Sequence, residues 1–113
     1  MTAAITFDID WAPDFAIEMC ANICQDNGVG ATFFATHASP ILASIASRPG
    51  FEIGIHPNFL ENSSHGRLPT DVMAFCMDIV PDAKCMRTHS LVQSSPILGM
   101  IADEYPQIEI DAS

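Results

Sequence analysis

Short, mostly apolar runs alternate with amphipathic segments along this chain, and the alternation limits the folds that are open to it. The runs carry β-branched and aromatic residues, which favour buried strands, and they occupy residues 1–7, 30–36, 51–55, 84–88 and 108–110. Helical segments lie between them. Strands that alternate with helices predict an α/β fold with a parallel sheet and right-handed crossovers. Five strands fit either an open layered sheet or most of the wall of a barrel.

The first helical segment shows the clearest amphipathic spacing. Asn27-Gly28 ends it with residues that tolerate the left-handed conformation. Serine followed by proline predicts two further helix starts, at Ser39-Pro40 and Ser95-Pro96. One face of the first helix is expected to pack on the sheet, and it consists of Ala16, Met19, Cys20, Ile23 and Cys24.

The acidic composition excludes several classes of partner. The 113 residues carry a formal net charge of −10 and only four lysine and arginine residues, so the surface repels nucleic acid and anionic membranes. Hydrophobic residues make up 49%, enough for the core of one domain spanning residues 1–113. There is no signal-peptide pattern and no apolar run of about 18 residues. We therefore expect a cytoplasmic protein without membrane insertion and without a nucleic-acid partner.

The four cysteines are expected to be buried and structural. None of Cys20, Cys24, Cys76 and Cys85 forms a Cys-x-x-Cys pair, so the spacing argues against a thiol redox protein. Small buried side chains are the common role of free cysteine inside the cell. A zinc site or a disulfide is the alternative.

Two carboxylates end the first predicted strand. Residues i and i+2 of a strand share a face, so Asp8 and Asp10 can both point into one site at the carboxyl end of the sheet. Two acids placed close together need a cation or hydrogen-bond donors to compensate them. The alternative is a turn in which one of them caps the helix that begins near Pro13.

Further polar residues follow the later strands. His37, His56 with Asn58, and Arg87 with His89 lie at successive strand ends, where parallel α/β folds bind ligands. Histidine and carboxylate ligands that leave positions open for water are typical of hydrolytic metal sites. The metal ligands expected from this pattern are Asp10, His56 and His89.

The remaining polar residues near these strand ends receive other roles. Asp8 is then free to act as a general base, and Arg87 is expected to pair with it, because a cation there needs a partner. His37 is expected to be structural. His65, in the polar loop 57–68, is expected to be solvated.

These residues resemble the motifs of the polysaccharide deacetylase family, the NodB-like carbohydrate esterases. Thr6-Phe7-Asp8-Ile9-Asp10 is similar to the family's Thr-Phe-Asp-Asp with one residue inserted. Ala31 to Phe34 resembles its Ala-Thr-Phe-Phe, Glu52 to His56 resembles its Glu-Ile-Gly-x-His, and Arg87 matches the start of its third motif. The variant at residues 8–11 and 56–58 looks like members associated with lipopolysaccharide or O-antigen biosynthesis.

The resemblance implies a distorted (β/α) barrel, here a partial one, and a divalent metal, most often zinc. It implies removal of the acetyl group from an N-acetylated sugar, with Asp8 as catalytic base and Asp10 and His56 as metal ligands. Arg87 joins Asp8 as a catalytic residue. Trp11, Asn58 and Ser90, beside these positions, are expected to contact the substrate.

The chain departs from the family pattern in three respects. The family's second histidine ligand falls at Leu60, so His89 or His65 has to replace it, and His89 is preferred because it stands at a strand end. The inserted residue leaves open that Asp8 and Asp10 exchange roles. The family's later motifs, including the histidine that acts as general acid, have no counterpart, and the chain is expected to be shortened at its C-terminal end.

The leading functional hypothesis is a metal-dependent deacetylase. The alternative is a non-catalytic shortened relative that binds metal or carbohydrate, or that assembles with another chain. Because an unclosed barrel leaves edge strands uncovered, we also expect a homodimer in which the open sides face each other.

Overall fold

The computed structural model describes residues 3–113, which form five strands, four α-helices and one 3₁₀ turn. The strands are β1 (Thr6–Asp8), β2 (Ala31–Ala35), β3 (Phe51–Ile55), β4 (Cys85–Met86) and β5 (Ile110–Asp111). The helices are α1 (Asp14–Asp26), α2 (Pro40–Ala46), α3 (Pro69–Ile79) and α4 (Ser95–Glu104), and the 3₁₀ turn is His89–Leu91. The predicted alternation is confirmed. The start of the predicted first strand, Met1 and Thr2, lies outside the described residues.

The five strands form one parallel sheet in the order β1-β2-β3-β4-β5. The sheet curls into a half-barrel with the helices alternating along it, so the barrel-wall alternative is the correct one. Sequence neighbours are spatial neighbours, and β1 and β5 form the two edges. Every strand therefore ends on the same side of the sheet, and the loops that follow the strands meet there.

Two hydrophobic clusters fill the space between the sheet and the helices. The first joins β1, β2 and β3 to α1 and α2, with Phe33 and Ile45 fully buried at its centre. The second joins β3 and β4 to α3 and α4 around Ile55 and Met73. The strand Ala31–Ala35 is buried along nearly its whole length, as expected for a strand inside a parallel sheet.

The helix starts follow the predicted chemistry with one shift. Ser39 caps α2, and its Oγ accepts a hydrogen bond from the backbone N–H of Ile41 at 3.2 Å. The cap of α4 is Ser94 and not Ser95, because the Ser94 Oγ accepts from the N–H of Ile97 at 3.5 Å. In both helices a proline occupies the first turn, where its missing N–H costs nothing.

The predicted packing face of α1 is partly wrong. The buried side chains of the helix are Ile17, Ala21 and Cys24, so only Cys24 of the predicted face is fully buried. The helix is rotated so that its N-terminal half places Ile17 against the sheet. Phe15, Met19 and Ile23 are 72%, 54% and 56% exposed. These three, spaced four residues apart, form an uncovered apolar row on α1.

The cysteines agree with the expectation that they are structural. Cys24, Cys76 and Cys85 are buried, Cys20 is half-buried, and all four are free thiols. Burial raises the pKa of the Cys76 thiol to about 12 and that of Cys85 to about 11, which fits inert structural cysteines. None of the helices within residues 3–113 has the length and hydrophobicity needed to cross a bilayer.

Gly54 lies where β3 leaves no room for a side chain. A Cβ at this position would lie 2.7 Å from the carbonyl oxygen of Cys85 and 2.9 Å from the Phe34 ring. The carbonyl belongs to the backbone of β4 and cannot turn away. Glycine therefore allows β3 and β4 to pair next to the buried Phe34.

We predict that Gly54→Ala destabilises the protein by about 1–3 kcal/mol through overpacking. Gly99→Ala is the matched control, because Gly99 lies in α4, where an added Cβ would meet no neighbouring group within 4 Å. Alanine is the better helix former by about 1 kcal/mol, so the control is expected to gain stability. Urea unfolding of both variants measures the two changes. Equal stability of Gly54→Ala and the wild type would contradict the close approach.

Candidate metal centre

Three strand ends bring one side chain each to a common point. Asp10 follows β1, His56 follows β3 and His89 follows β4. Backbone hydrogen bonds continue beyond the strands: the N–H of His56 donates to the carbonyl of Ala35 at 2.9 Å, and that of His89 donates to the carbonyl of Pro57 at 2.9 Å. The positions of both histidines are therefore set by the sheet itself.

The ligand-type atoms of these residues lie very close together. The Oδ1 atom of Asp10 is 3.2 Å from Nε2 of His56 and 3.2 Å from Nδ1 of His89. The two ring nitrogens are 3.4 Å apart. The three residues form a nearly equilateral group of one carboxylate oxygen and two imidazole nitrogens, and we call it the Asp10–His56–His89 triad.

The triad fits a divalent metal. Zinc binds histidine nitrogen and carboxylate oxygen at about 2.0–2.2 Å, so two ligands of a tetrahedral ion are about 3.4 Å apart. The observed separations match this spacing. Three protein ligands with a fourth position open are the donor set of hydrolytic zinc sites.

The second nitrogen of His56 faces Asp8. His56 is buried, and its Nδ1 has no hydrogen-bond partner among residues 3–113. The Oδ1 atom of the Asp8 carboxylate is 3.8 Å away. Ligand histidines usually direct their other N–H at a carboxylate or carbonyl, which fixes the tautomer. Asp8 therefore stands behind His56, outside the triad.

Burial keeps His56 in the form that binds metal. Removal from water lowers the pKa of His56, and the Asp8 carboxylate, the backbone of Arg87 and the Asp10 carboxylate offset this only in part. A lowered pKa means a neutral imidazole at neutral pH. Neutral imidazole is the form with a lone pair for a metal.

Arg87 holds Asp8 from the other side. Its guanidinium donates to the Asp8 Oδ1 at 3.1 Å and to the Thr6 Oγ1 at 3.0 Å. Its Nε donates to the carbonyl of Ala112 at 3.1 Å, and the group lies over the Phe34 ring at 4.9 Å. The predicted pairing of Arg87 with Asp8 is present, and it fixes the carboxylate at the edge of the triad.

The expectation that His65 is solvated is wrong. The side chain is 3% exposed, and both ring nitrogens make hydrogen bonds to backbone groups. Its ring stacks on Phe75 at 4.8 Å. The loop folds inward because these contacts replace the water that the polar imidazole would lose. Between the two replacements for the missing ligand at Leu60, the structure brings His89 and not His65 to Asp10.

The roles of the predicted substrate-contact residues stay predictions, and of the three only Trp11 has a contact with the triad. Trp11 is 42% exposed, and its ring lies 5.3 Å from that of His89. Asn58 is buried, and its side-chain oxygen accepts from the N–H of Leu60 at 3.1 Å. Ser90 is exposed directly after His89. His37 lies outside the triad, with its Nδ1 3.0 Å from the Thr36 hydroxyl.

Two features of this region were not foreseen from the sequence. Thr36 is fully buried, and its hydroxyl accepts from the backbone N–H of Trp11 at 2.9 Å. The pairs Asp10-Trp11 and Ser90-Leu91 adopt the left-handed conformation, with φ between 39° and 59°. Such a conformation is uncommon for non-glycine residues and clusters at functional sites. The only sequence signal was the position of these residues directly after strands.

Comparison with known proteins identifies a family. The family model described as WbmS-like polysaccharide deacetylase matches residues 5–113. The fold is similar to that of WbmS from Bordetella bronchiseptica, named as a candidate polysaccharide deacetylase involved in O-antigen biosynthesis. The identity is 40% and the TM-score 0.79 over 88% of this chain. No curated protein matches the chain.

Two more distant structures share the fold. One is a pseudoenzyme of carbohydrate esterase family 4 from Bacillus anthracis, with 12% identity and a TM-score of 0.64 over 96% of this chain. The other is a mutant of that protein with restored enzymatic activity, with 14% identity and a TM-score of 0.62 over 96% of this chain. This chain spans 42% of the length of WbmS and 41% and 43% of the other two.

The buried histidines predict an acid-sensitive fold. Burial lowers the pKa values of both His56 and His65, while the unfolded chain titrates near the usual value of about 6.5. Below that pH the unfolded state binds more protons than the folded state. Stability is then complete above pH of about 6.5 and declines as the pH falls, by at most about 1.4 kcal/mol per pH unit for each histidine.

Urea unfolding of chelator-treated protein between pH 8 and pH 5 measures this decline. A His65→Gln variant retains one titrating histidine of the pair and is expected to show a shallower slope. A stability that is constant or rises on acidification would show that the histidines are not buried in the neutral form.

Proposed function

The chain belongs to the WbmS-like polysaccharide deacetylase family, and from this premise we propose that it removes the acetyl group from an N-acetylated sugar with the help of a divalent metal. The single observation that carries the proposal is the spacing of the Asp10–His56–His89 triad, with separations of 3.2, 3.2 and 3.4 Å. Zinc is the proposed ion, since two imidazoles and one carboxylate suit it. An ion in this position would polarise the acetyl carbonyl and acidify a water molecule.

Asp8 is the proposed general base. It lies beside the triad, and its carboxylate is held by Arg87 at 3.1 Å. The charge-assisted hydrogen bond from Arg87 holds the carboxylate in place beside the triad. Asp8 would accept the proton of the attacking water, and Arg87 would keep it from turning into the triad to bind the metal in place of Asp10.

The sugar is proposed to bind against Trp11, Asn58 and Ser90. The exposed Trp11 ring offers a flat apolar surface of the kind on which the C–H face of a sugar packs. The name of WbmS places that relative in O-antigen biosynthesis, and the same process is proposed for this chain. The cytoplasmic location also stays a prediction, with which the four free thiols agree.

The second candidate function is binding without catalysis. It is favoured by one observation: Leu60 occupies the position of the family's second histidine ligand and cannot bind a metal. Metal binding without acetate release would support this second function.

The triad is predicted to bind zinc or cobalt with its three side chains. Alanine at Asp10, His56 or His89 is expected to weaken binding by more than about 100-fold, because even residues that only orient a ligand are worth 10–100-fold. Titration calorimetry on chelator-treated protein measures the affinity. His37→Ala is the matched control, a strand-end histidine outside the triad. Equal affinity in all five proteins, including the wild type, would contradict the site.

Asp8→Asn separates catalysis from metal binding. The amide has the same shape but cannot accept the proton, so acetate release is expected to fall by about 10²–10⁴-fold while metal affinity remains near that of the wild type. Acetate release from N-acetylated oligosaccharides, measured with zinc present, gives the rate. Full activity in Asp8→Asn would exclude it as the base, and loss of metal binding would indicate that Asp8 and Asp10 have exchanged roles.

Self-association is proposed for the uncovered side of the half-barrel. β1 is an edge strand, and α1 beside it carries the apolar row Phe15, Met19 and Ile23. The proposed contact is isologous, between the apolar rows of two copies, and stable dimers bury about 800 Å² on each partner. The net charge of −10 opposes it, so association is expected to strengthen with salt.

Analytical ultracentrifugation at low and high micromolar concentration, at two salt levels, tests the dimer. Met19→Glu introduces a charge into the apolar row and is expected to shift the equilibrium to the monomer. Sedimentation as a 12.2 kDa species at every concentration would rule out the dimer.

A further inference from the structure

Trp11 is packed between two histidines that differ in function. Its ring centroid lies 5.3 Å from that of His89, with the planes at 80°, and 5.6 Å from that of His65, with the planes at 46°. His89 belongs to the triad, whereas His65 does not. The indole therefore connects a candidate ligand to a buried side chain of another loop.

His65 is fixed on every side that the structure describes. Its Nε2–H donates to the carbonyl of Thr36 at 2.8 Å, and its Nδ1 accepts from the backbone N–H of Asn58 at 3.0 Å. The Cys76 thiol, protonated because burial raises its pKa to about 12, lies 3.6 Å from the same Nδ1. The ring stacks on Phe75 at 4.8 Å. Because both ring nitrogens are hydrogen-bonded to backbone groups, the imidazole is fixed in place and neither nitrogen is available to bind a metal.

Thr36 holds Trp11 against the His65 ring. The Thr36 carbonyl binds His65, and the Thr36 hydroxyl binds the backbone N–H of Trp11 at 2.9 Å. Trp11 also adopts a left-handed backbone with φ of 59°, which an L-residue keeps only when its surroundings impose it. One buried threonine thus sets the relative position of the two rings.

His89 has less support of its own. Its side chain is 22% exposed, and its ring is reached from two sides, by His56 at 5.3 Å and by Trp11 at 5.3 Å. The contact with Trp11 is edge-to-face, a favourable arrangement for two aromatic rings. Without the indole, the imidazole would be free to rotate about its Cβ–Cγ bond and turn Nδ1 away from Asp10.

We propose that Trp11 is a positioning residue that, backed by His65, holds the His89 imidazole with Nδ1 directed at the metal site. The inference rests on the proposed metal site but not on catalysis. It explains how a ligand from the β4 loop can replace the family's second histidine ligand, whose position is occupied by Leu60 in this chain. The replacement ligand needs its own support, and the indole of Trp11, packed on the buried His65, supplies it. Residues that orient a metal ligand are commonly worth 10–100-fold in affinity.

Zinc affinity in Trp11→Ala and Trp11→Phe tests the proposal. Trp11→Ala is expected to lose 10–100-fold in affinity, and Trp11→Phe to recover most of it, because a benzene ring can still contact His89. The absorption spectrum of the cobalt complex is expected to change in Trp11→Ala, since the geometry of one ligand is altered. Phe15→Ala, which removes another exposed ring, is the control and should leave both measurements unchanged.

A double-mutant cycle with His89→Ala tests whether Trp11 affects zinc affinity through His89. If Trp11 acts through His89, Trp11→Ala should have no further effect on zinc affinity once His89 is absent. An equal loss in both backgrounds would overturn the proposal, and so would unchanged affinity and an unchanged cobalt spectrum in Trp11→Ala. His65→Leu should reproduce part of the loss. If that variant unfolds, which its circular dichroism would show, the exposed Trp11 variants decide alone.

Measurements on the wild type distinguish failure of the positioning role from failure of the proposed metal site. Trp11 is the single tryptophan of the chain, so its fluorescence reports on the ring itself, and copper or cobalt bound beside His89 should quench it. A wild type without metal affinity and without quenching would refute the metal site. Metal binding that is indifferent to Trp11 would refute only the positioning role, leaving the indole as a surface for the sugar.

Discussion

The site depends on backbone hydrogen bonds that continue the parallel sheet past the ends of its strands. The N–H groups of His56, Arg87 and His89 donate in turn to the carbonyls of Ala35, Ile55 and Pro57. Each bond fixes a chemically active residue relative to the strand beside it. A shift of one residue in the pairing would turn every such side chain to the opposite face. The register of β2, β3 and β4 therefore determines whether a metal site exists.

Charge in the site is arranged around this framework. The triad has one carboxylate and two histidines, and the pKa of His56 is lowered by burial. Asp8 is the second carboxylate, and its Oδ1 accepts a hydrogen bond from the Arg87 guanidinium at 3.1 Å. Two acids one residue apart thus have different partners. Asp10 lies between two imidazoles, whereas Asp8 is paired with a guanidinium.

The strand and helix alternation was predictable because it depends on local spacing. The motif residues at strand ends were predictable for a related reason, since parallel strands all end on one side. The packing face of α1 was not, because Met19 and Ile23 have the same apolar character and helical spacing as the residues that are buried. The burial of His65 was also missed. Its hydrogen-bond partners are the backbone carbonyl of Thr36 and the backbone N–H of Asn58. Almost every residue type has such groups, so no sequence pattern identifies them as partners.

Arg87 also bears on the shape of the sheet. Its guanidinium, at the end of β4, hydrogen-bonds Thr6 and Asp8 on β1, although β2 and β3 lie between. In a flat sheet, strands three places apart are separated by about 14 Å, which is more than an arginine side chain spans. The sheet must therefore curve for the Arg87 side chain to reach β1, and the Phe34 ring fills the space beneath the guanidinium. The curvature of the sheet and the electrostatic environment of Asp8 are consequently coupled, because any change that flattens the sheet also moves the Arg87 cation away from Asp8.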